Sequence, residues 1–238
     1  TTPRRLSRAP NGVTCQTGAV QPGVVLISDP RVVAITPLEC GEPLVDLREL
    51  PRLRIDRRKW DESAGWHHGR RGLADRLVAA AQALPEGLEL LIVEAFRSPV
   101  RQAEYWNHYR AELHEHYPGL SEERLYELAS RWVAPPDVAP HSTGGAVDLT
   151  LCDDAGVELD LGSPLDATPE QSEGACYTDA EVAEPAATNR ATLLRVLRSA
   201  GLVNYPTEWW HWSYGERYWA FHTGAEHALY GPVVLARS

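Results

Sequence analysis

The chain has 238 residues, 43% hydrophobic and 24% charged, with a formal net charge of −10. That balance describes a soluble globular protein, one large domain or a domain with an N-terminal extension, and excludes a disordered chain. Its acidity, with no long Lys/Arg block, excludes generic binding to nucleic acid or an anionic membrane.

Residues 1–10 are polar, without an apolar core of signal-peptide length, and no stretch approaches the roughly 20 apolar residues that cross a bilayer. Lys59 is the only lysine, which reads first as coding bias toward arginine. The proline-rich part from 1 to 60 is irregular, with brief strands expected at 24–27, 32–35 and 44–47. Leu and Ala at helical spacing predict a helix over 72–84, stopped by Pro85-Glu86-Gly87. A buried strand over 88–96 then delivers Arg97. Ser98-Pro99 pairs a hydroxyl cap with proline at the first helical position, opening a helix that runs to about Tyr117. Ser121 caps the next one, which ends before Pro135-Pro136.

Residues 146–151 alternate as a strand. The acidic, Gly/Pro-punctuated stretch from 153 to 184 reads as a long surface loop, of the kind that often serves as a lid. A helix over 189–200 ends at Gly201, and the aromatic run 205–214 reads as a strand. Cys15, Cys40, Cys152 and Cys176 contain no Cys-x-x-Cys pair, so two disulfides or buried free thiols are both open, and zinc-knuckle spacing is absent.

Two segments carry the chemistry: His141-Ser142-Thr143-Gly144-Gly145-Ala146-Val147-Asp148 and Glu208-Trp209-Trp210-His211. Two imidazoles and one carboxylate (His141, Asp148, His211) are the protein ligands of an open catalytic zinc site, which leaves a fourth position for a water whose pKa falls to about 7. Gly144-Gly145 provides a tight backbone before the strand that carries Asp148. Glu208 is a second carboxylate that can act as general base, and Arg97, at a strand end, can hold a developing oxyanion. The structural alternatives are a buried His–Asp pair with an edge-strand glutamate, and an ordinary salt-bridged arginine. His108, Glu112 and His116 share a helix face and read as a solvated surface. His67-His68 reads as a loop pair, and His222 and His227 have no evident partner.

The two segments resemble the zinc D-Ala-D-Ala dipeptidases of the vancomycin-resistance type, within the D-alanyl-D-alanine-cleaving metallopeptidases. The family's His, six intervening residues and Asp-Leu-Thr-Leu match His141 to Leu151, and its Glu-Trp-Trp-His matches Glu208 to His211. Asn189-Arg190 and Gly201-Leu202 echo a further helix and turn, so the likeness spans about 88–212 as the catalytic core. It implies an α+β fold, a small antiparallel sheet flanked by helices. It also implies one Zn2+ held by His141, Asp148 and His211, with Glu208 as base and Arg97 stabilising the transition state. Leu161-Gly162-Ser163-Pro164-Leu165-Asp166 looks like the family's Met-Gly-Ser-x-Phe-Asp. That makes Asp166 the expected anchor for the substrate's ammonium, a loop aspartate being the alternative.

One departure is Ala139-Pro140 where the family has Ser-Ser before the histidine, so the polar contacts to substrate must differ. The expected activity is hydrolysis of D-Ala-D-Ala or a related short D-amino-acid dipeptide. The alternatives are a D,D-carboxypeptidase or peptidoglycan endopeptidase, and a repurposed or non-catalytic zinc-binding relative. The resemblance places the protein in the cytoplasm, with export as the alternative.

Overall fold

A computed structural model describes residues 23–60 and 65–235. Cys15 and the polar first ten residues lie outside the described residues. Asp29 caps α1 (Pro30–Val33) by accepting from the Arg31 amide at 2.9 Å, with Pro30 at the first helical position. The strand expected at 32–35 is therefore in large part a helical turn, because cap and proline outweigh the β-branched run. Residues 24–27, also expected as a strand, form none.

β1 (Leu44–Asp46) pairs antiparallel with β3 (His68–Arg70), while β2 (Leu53–Ile55) runs parallel to β4 (Leu88–Glu94). α2 (Arg71–Gln82) lies between β3 and β4. α3 (Pro99–His116) and α4 (Glu122–Ala129) follow, each capped by the predicted serine, Ser98 and Ser121. β5 (Ala146–Asp153), α5 (Ala186–Ser199), the hairpin of β6 (Val203–Asn204) and β7 (His211–Ser213), and α6 (Arg217–Thr223) complete the order.

The main sheet has the order β2-β4-β5-β7-β6. The α+β class is as expected; the sheet is mixed rather than purely antiparallel, because β2 joins its edge in parallel. β5 is its central strand and is buried on both faces. Leu73, Leu77, Ala80 and Ala81 of α2 share one core with Leu193, Val196 and Leu197 of α5 and with Leu90, Ile92, Leu149 and Leu151 of the sheet. Each of these leucine, isoleucine and valine side chains contributes about 1.5–3 kcal/mol on full burial. A separate small core of Trp106, Leu113, Leu125 and Ala129 holds the α3–α4 hairpin together.

The run 205–214 is not one strand. Asn204 donates through Nδ2 to the carbonyls of Glu208 (3.1 Å) and His211 (3.0 Å), and Pro206 cannot donate to a ladder, so the segment folds into a loop before β7. The 153–184 stretch is also more than a surface loop: Leu161, Leu165 and Cys176 are buried in the main core. Arg190 gathers it, donating to the carbonyls of Leu161 (Nε, 3.1 Å), Tyr177 (2.9 Å) and Ala175 (2.9 Å). Cys152 and Cys176 are buried, Cys40 is exposed, and these three thiols are free. Among the described residues no helix is long and apolar enough to cross a membrane.

Candidate active site

Sheet register builds the site. Glu94 lies opposite Asp148 across β4 and β5, and Asp148 lies opposite His211 across β5 and β7. Directly opposed residues point to the same face of a sheet, so the three side chains form one row. His141 enters from the adjoining 3-10 turn (Pro140–Thr143), which Gly144 terminates in the left-handed region at φ 71°. A Cβ on Gly145 would stand 2.6 Å from the Tyr214 carbonyl oxygen, so this approach of the turn to β7 requires glycine.

The two imidazoles converge on one carboxylate. His141 Nε2 lies 3.3 Å from Asp148 Oδ2, His211 Nδ1 lies 2.9 Å from Asp148 Oδ1, and the ring centroids are 4.9 Å apart. The other nitrogen of His141, Nδ1, stands 2.7 Å from the Ala95 carbonyl oxygen. A carbonyl can only accept, so Nδ1 carries a hydrogen and Nε2 is the nitrogen turned toward Asp148. All three residues are buried. Burial opposes the charge on Asp148, but the flanking His141 and His211 overcome it and hold the carboxyl far below its usual range. Burial also lowers the His211 pKa against the pull of Asp148, which favours neutral imidazole.

These donors fit a divalent metal ion. With bonds of roughly 2.0–2.2 Å, two ligand atoms of a tetrahedral zinc site stand about 3.3 Å apart, close to the 2.9 and 3.3 Å found here. A second group, Asp46, His67 and His68, has similar spacing, and His67 is buried rather than in an open loop. There, however, the Arg48 guanidinium already sits on the Asp46 carboxylate at 2.9 and 2.6 Å. His108 and Glu112 pair at 3.4 Å on the surface of α3, at the outer rim of the cavity described next.

A cavity of about 810 Å³ opens over the row, and His141, Asp148, His211, Glu208, Arg97 and Asp166 all line it. Glu208 sits on the hairpin loop, not in a strand, with its amide bonded to the Tyr205 carbonyl at 2.9 Å. Burial, then the charges of Asp148 and Asp166, raise its pKa well above the ordinary carboxylate value.

Arg97 follows β4 at a short remove, its amide donating to the His141 carbonyl at 3.2 Å. Its guanidinium is held by Glu94 (Nε–Oε1 2.8 Å, Nη2–Oε2 2.6 Å) and by Gln102 Oε1 (Nη1, 2.8 Å). It is thus both salt-bridged and cavity-facing, and each Nη keeps a second N–H. Asp166, at φ 66°, pairs with Lys59, whose Nζ is 2.7 Å from its Oδ2. Pro140 lines the cavity and contributes no backbone donor there.

Glu94, Gln102 and Lys59 were not anticipated from the sequence. A carboxylate directly after the apolar stretch 90–93 was a usable signal for Glu94, since a buried charge needs a partner. Nothing in the sequence connects Lys59 with Asp166.

The fold thus carries a buried His/Asp/His donor set that could hold a metal ion. Residues 70–226 match the family model for D-Ala-D-Ala dipeptidases, and the chain belongs to that family. It is 27% identical over 236 residues to a D-alanyl-D-alanine dipeptidase of Synechocystis sp., covering 84% of this chain and 96% of that protein. A D-alanyl-D-alanine dipeptidase of Escherichia coli is 30% identical over 142 residues, covering 58% of this chain and 63% of that one. Among solved structures, VanYB in complex with D-alanine-D-alanine is similar with a TM-score of 0.38 and 17% identity, over 84% of this chain and 94% of that one.

Proposed function

We propose that this peptidase hydrolyses D-Ala-D-Ala, or a closely related short D-amino-acid dipeptide, using one zinc ion held by His141, Asp148 and His211. The observation that carries the reading is the convergence of two buried imidazoles on one ionised carboxylate, in a cavity shared with Glu208 and Arg97. Bound zinc would supply Lewis acidity, lowering the pKa of a water and polarising the scissile carbonyl.

The chain's own groups account for the rest. Glu208, its proton affinity raised by burial and by neighbouring carboxylates, takes the proton of the attacking water and passes it to the leaving amine. Arg97, braced by Glu94 and Gln102, turns its remaining N–H groups to the oxygen that gains negative charge. Bracing matters because a donor that need not reorganise stabilises the transition state most. Asp166 supplies the negative charge for a substrate's free amine.

The cavity volume is large for a dipeptide, which favours, as a second reading, a D,D-carboxypeptidase that admits longer peptides ending in D-Ala-D-Ala. Amino-acid release is measured across L,L, L,D and D,D dipeptides and a pentapeptide ending in D-Ala-D-Ala, with and without chelator. Release from the D,D dipeptide, lost with chelator and restored by zinc, supports the first reading. Preference for the pentapeptide supports the second, and release that survives removal of all metal overturns both.

A further inference from the structure

The cavity wall contains an ammonium group of the protein's own. Lys59 Nζ lies 2.7 Å from Asp166 Oδ2 and 4.0 Å from Glu94 Oε2. Its side chain is only 21% exposed, so the cation is held mainly by these two carboxylates, whereas Asp166 is 43% exposed, with its carboxylate open to the cavity. Asp166 holds a positive-φ conformation that disfavours most non-glycine residues, and Leu165 and Ala167 on either side are buried. The backbone that presents the carboxylate is therefore fixed, and its short side chain has two rotatable bonds where the lysine stem has four. Lys59 demonstrates in the chain itself that this position binds a primary ammonium. It also means that Asp166 is already claimed when a substrate arrives.

We propose that Lys59 is a specificity-determining residue: it competes with the substrate's α-ammonium for Asp166 and withdraws toward Glu94 when that amine binds. Glu94 makes the exchange feasible, because the displaced cation keeps a carboxylate partner rather than being stranded in a buried place. Only an amine presented together with further contacts at the metal centre displaces an ammonium tethered in the same protein, where effective concentration is high. Free amines and unrelated peptides are thereby discriminated against. An N-acylated peptide leaves the Lys59–Asp166 pair undisturbed. This inference rests on the proposed peptidase reading.

Two measurements on the zinc-loaded full chain test it. In steady-state kinetics, Lys59→Met keeps the stem but removes the competitor. The KM for D-Ala-D-Ala is expected to fall about tenfold with kcat within about twofold, while the KM for N-acetyl-D-Ala-D-Ala does not fall. An unchanged or raised KM for the free dipeptide overturns the proposal.

The second readout needs no substitution at Lys59. As the only lysine of the 238 residues, it gives a single resonance after ε-13C-lysine labelling. In Glu208→Gln protein, made to block turnover, D-Ala-D-Ala is expected to move that resonance toward its position in the Asp166→Asn, Glu208→Gln double variant, and the N-acetyl dipeptide to leave it in place. Calorimetric binding of D-Ala-D-Ala without any movement overturns the competition but leaves the peptidase reading standing. Absence of both dipeptide binding and turnover in the wild type removes the two together.

Discussion

Glu94 grips Arg97 through two hydrogen bonds of 2.8 and 2.6 Å, and the same glutamate stands opposite Asp148 across the sheet. Arg97 and Asp148 are thus both referred to Glu94 and the β4–β5 pair. Glu94 is 2% exposed, so removing it leaves a guanidinium buried beside Lys59. Glu94→Ala is expected to lower stability by about 3 kcal/mol, the usual cost of orphaning one partner of a buried pair, read as a shift in urea midpoint at constant m-value.

The same pair predicts an acid dependence. Burial disfavours ionised Glu94, but Arg97 and then Lys59 more than offset it, and the carboxyl is held down to about 2 against an ordinary 4.5. A folded pKa below the unfolded one contributes stability fully present above about pH 4.5 and lost as pH falls through about 2. In Glu94→Gln that contribution is gone, so the stability gap to wild type is expected to be wide at pH 7 and narrower at pH 3. Equal gaps at both pH values would show that Glu94 carries no such coupling.

Arg97→Lys keeps the charge but loses the planar fork. Since one guanidinium both pairs with Glu94 and faces the cavity, kcat is expected to fall about 100- to 1,000-fold, with KM changed far less. A loss confined to KM would assign Arg97 to ground-state binding instead.

Glu208→Gln is expected to retain zinc and to lose turnover by several orders of magnitude, whereas Asp148→Asn loses the ion itself. Metal content after gel filtration separates them. Zinc that binds the folded state at 1,000-fold above its Kd adds about 4 kcal/mol of stability. The wild type and Glu208→Gln should therefore melt higher with zinc, and Asp148→Asn should not. Full activity in Glu208→Gln would remove the base assignment.

Gly145→Ala places a methyl group against the Tyr214 carbonyl and the Tyr230 ring, 2.6 and 2.9 Å away. A destabilisation of about 1–3 kcal/mol is expected, together with weaker zinc affinity, because the turn carrying His141 and the strand carrying Asp148 meet there. Wild-type zinc affinity in this variant would mean that the turn can relax without moving either donor.

Much of this was legible in the primary structure, and the reasons are physical. Each His-carboxylate spacing alone recurs by chance, and the two segments holding His141, Asp148, Glu208 and His211 stood out through their context and as a pair of motifs resembling one family. Caps at Ser98 and Ser121 and the break at Gly201 use local hydrogen bonds that depend on neighbouring residues alone. What stayed hidden depends on distant partners. The parallel pairing of β2 with β4 brings together residues more than 30 positions apart. Asn204 diverts the 205–214 run through contacts that alternation of residue types cannot reveal. Asn189 and Arg190 were noticed only as a family echo; their part, holding the carbonyls of Asp160, Leu161, Ala175 and Tyr177, emerges only from the tertiary structure.

The row Glu94, Asp148 and His211 belongs to strands, where a slip of one position would throw every member to the opposite face. Asp166 and Lys59 belong to connecting segments. A register slip in β5 would therefore disperse the row itself, whereas a substitution at Asp166 or Lys59 leaves the three facing side chains in line.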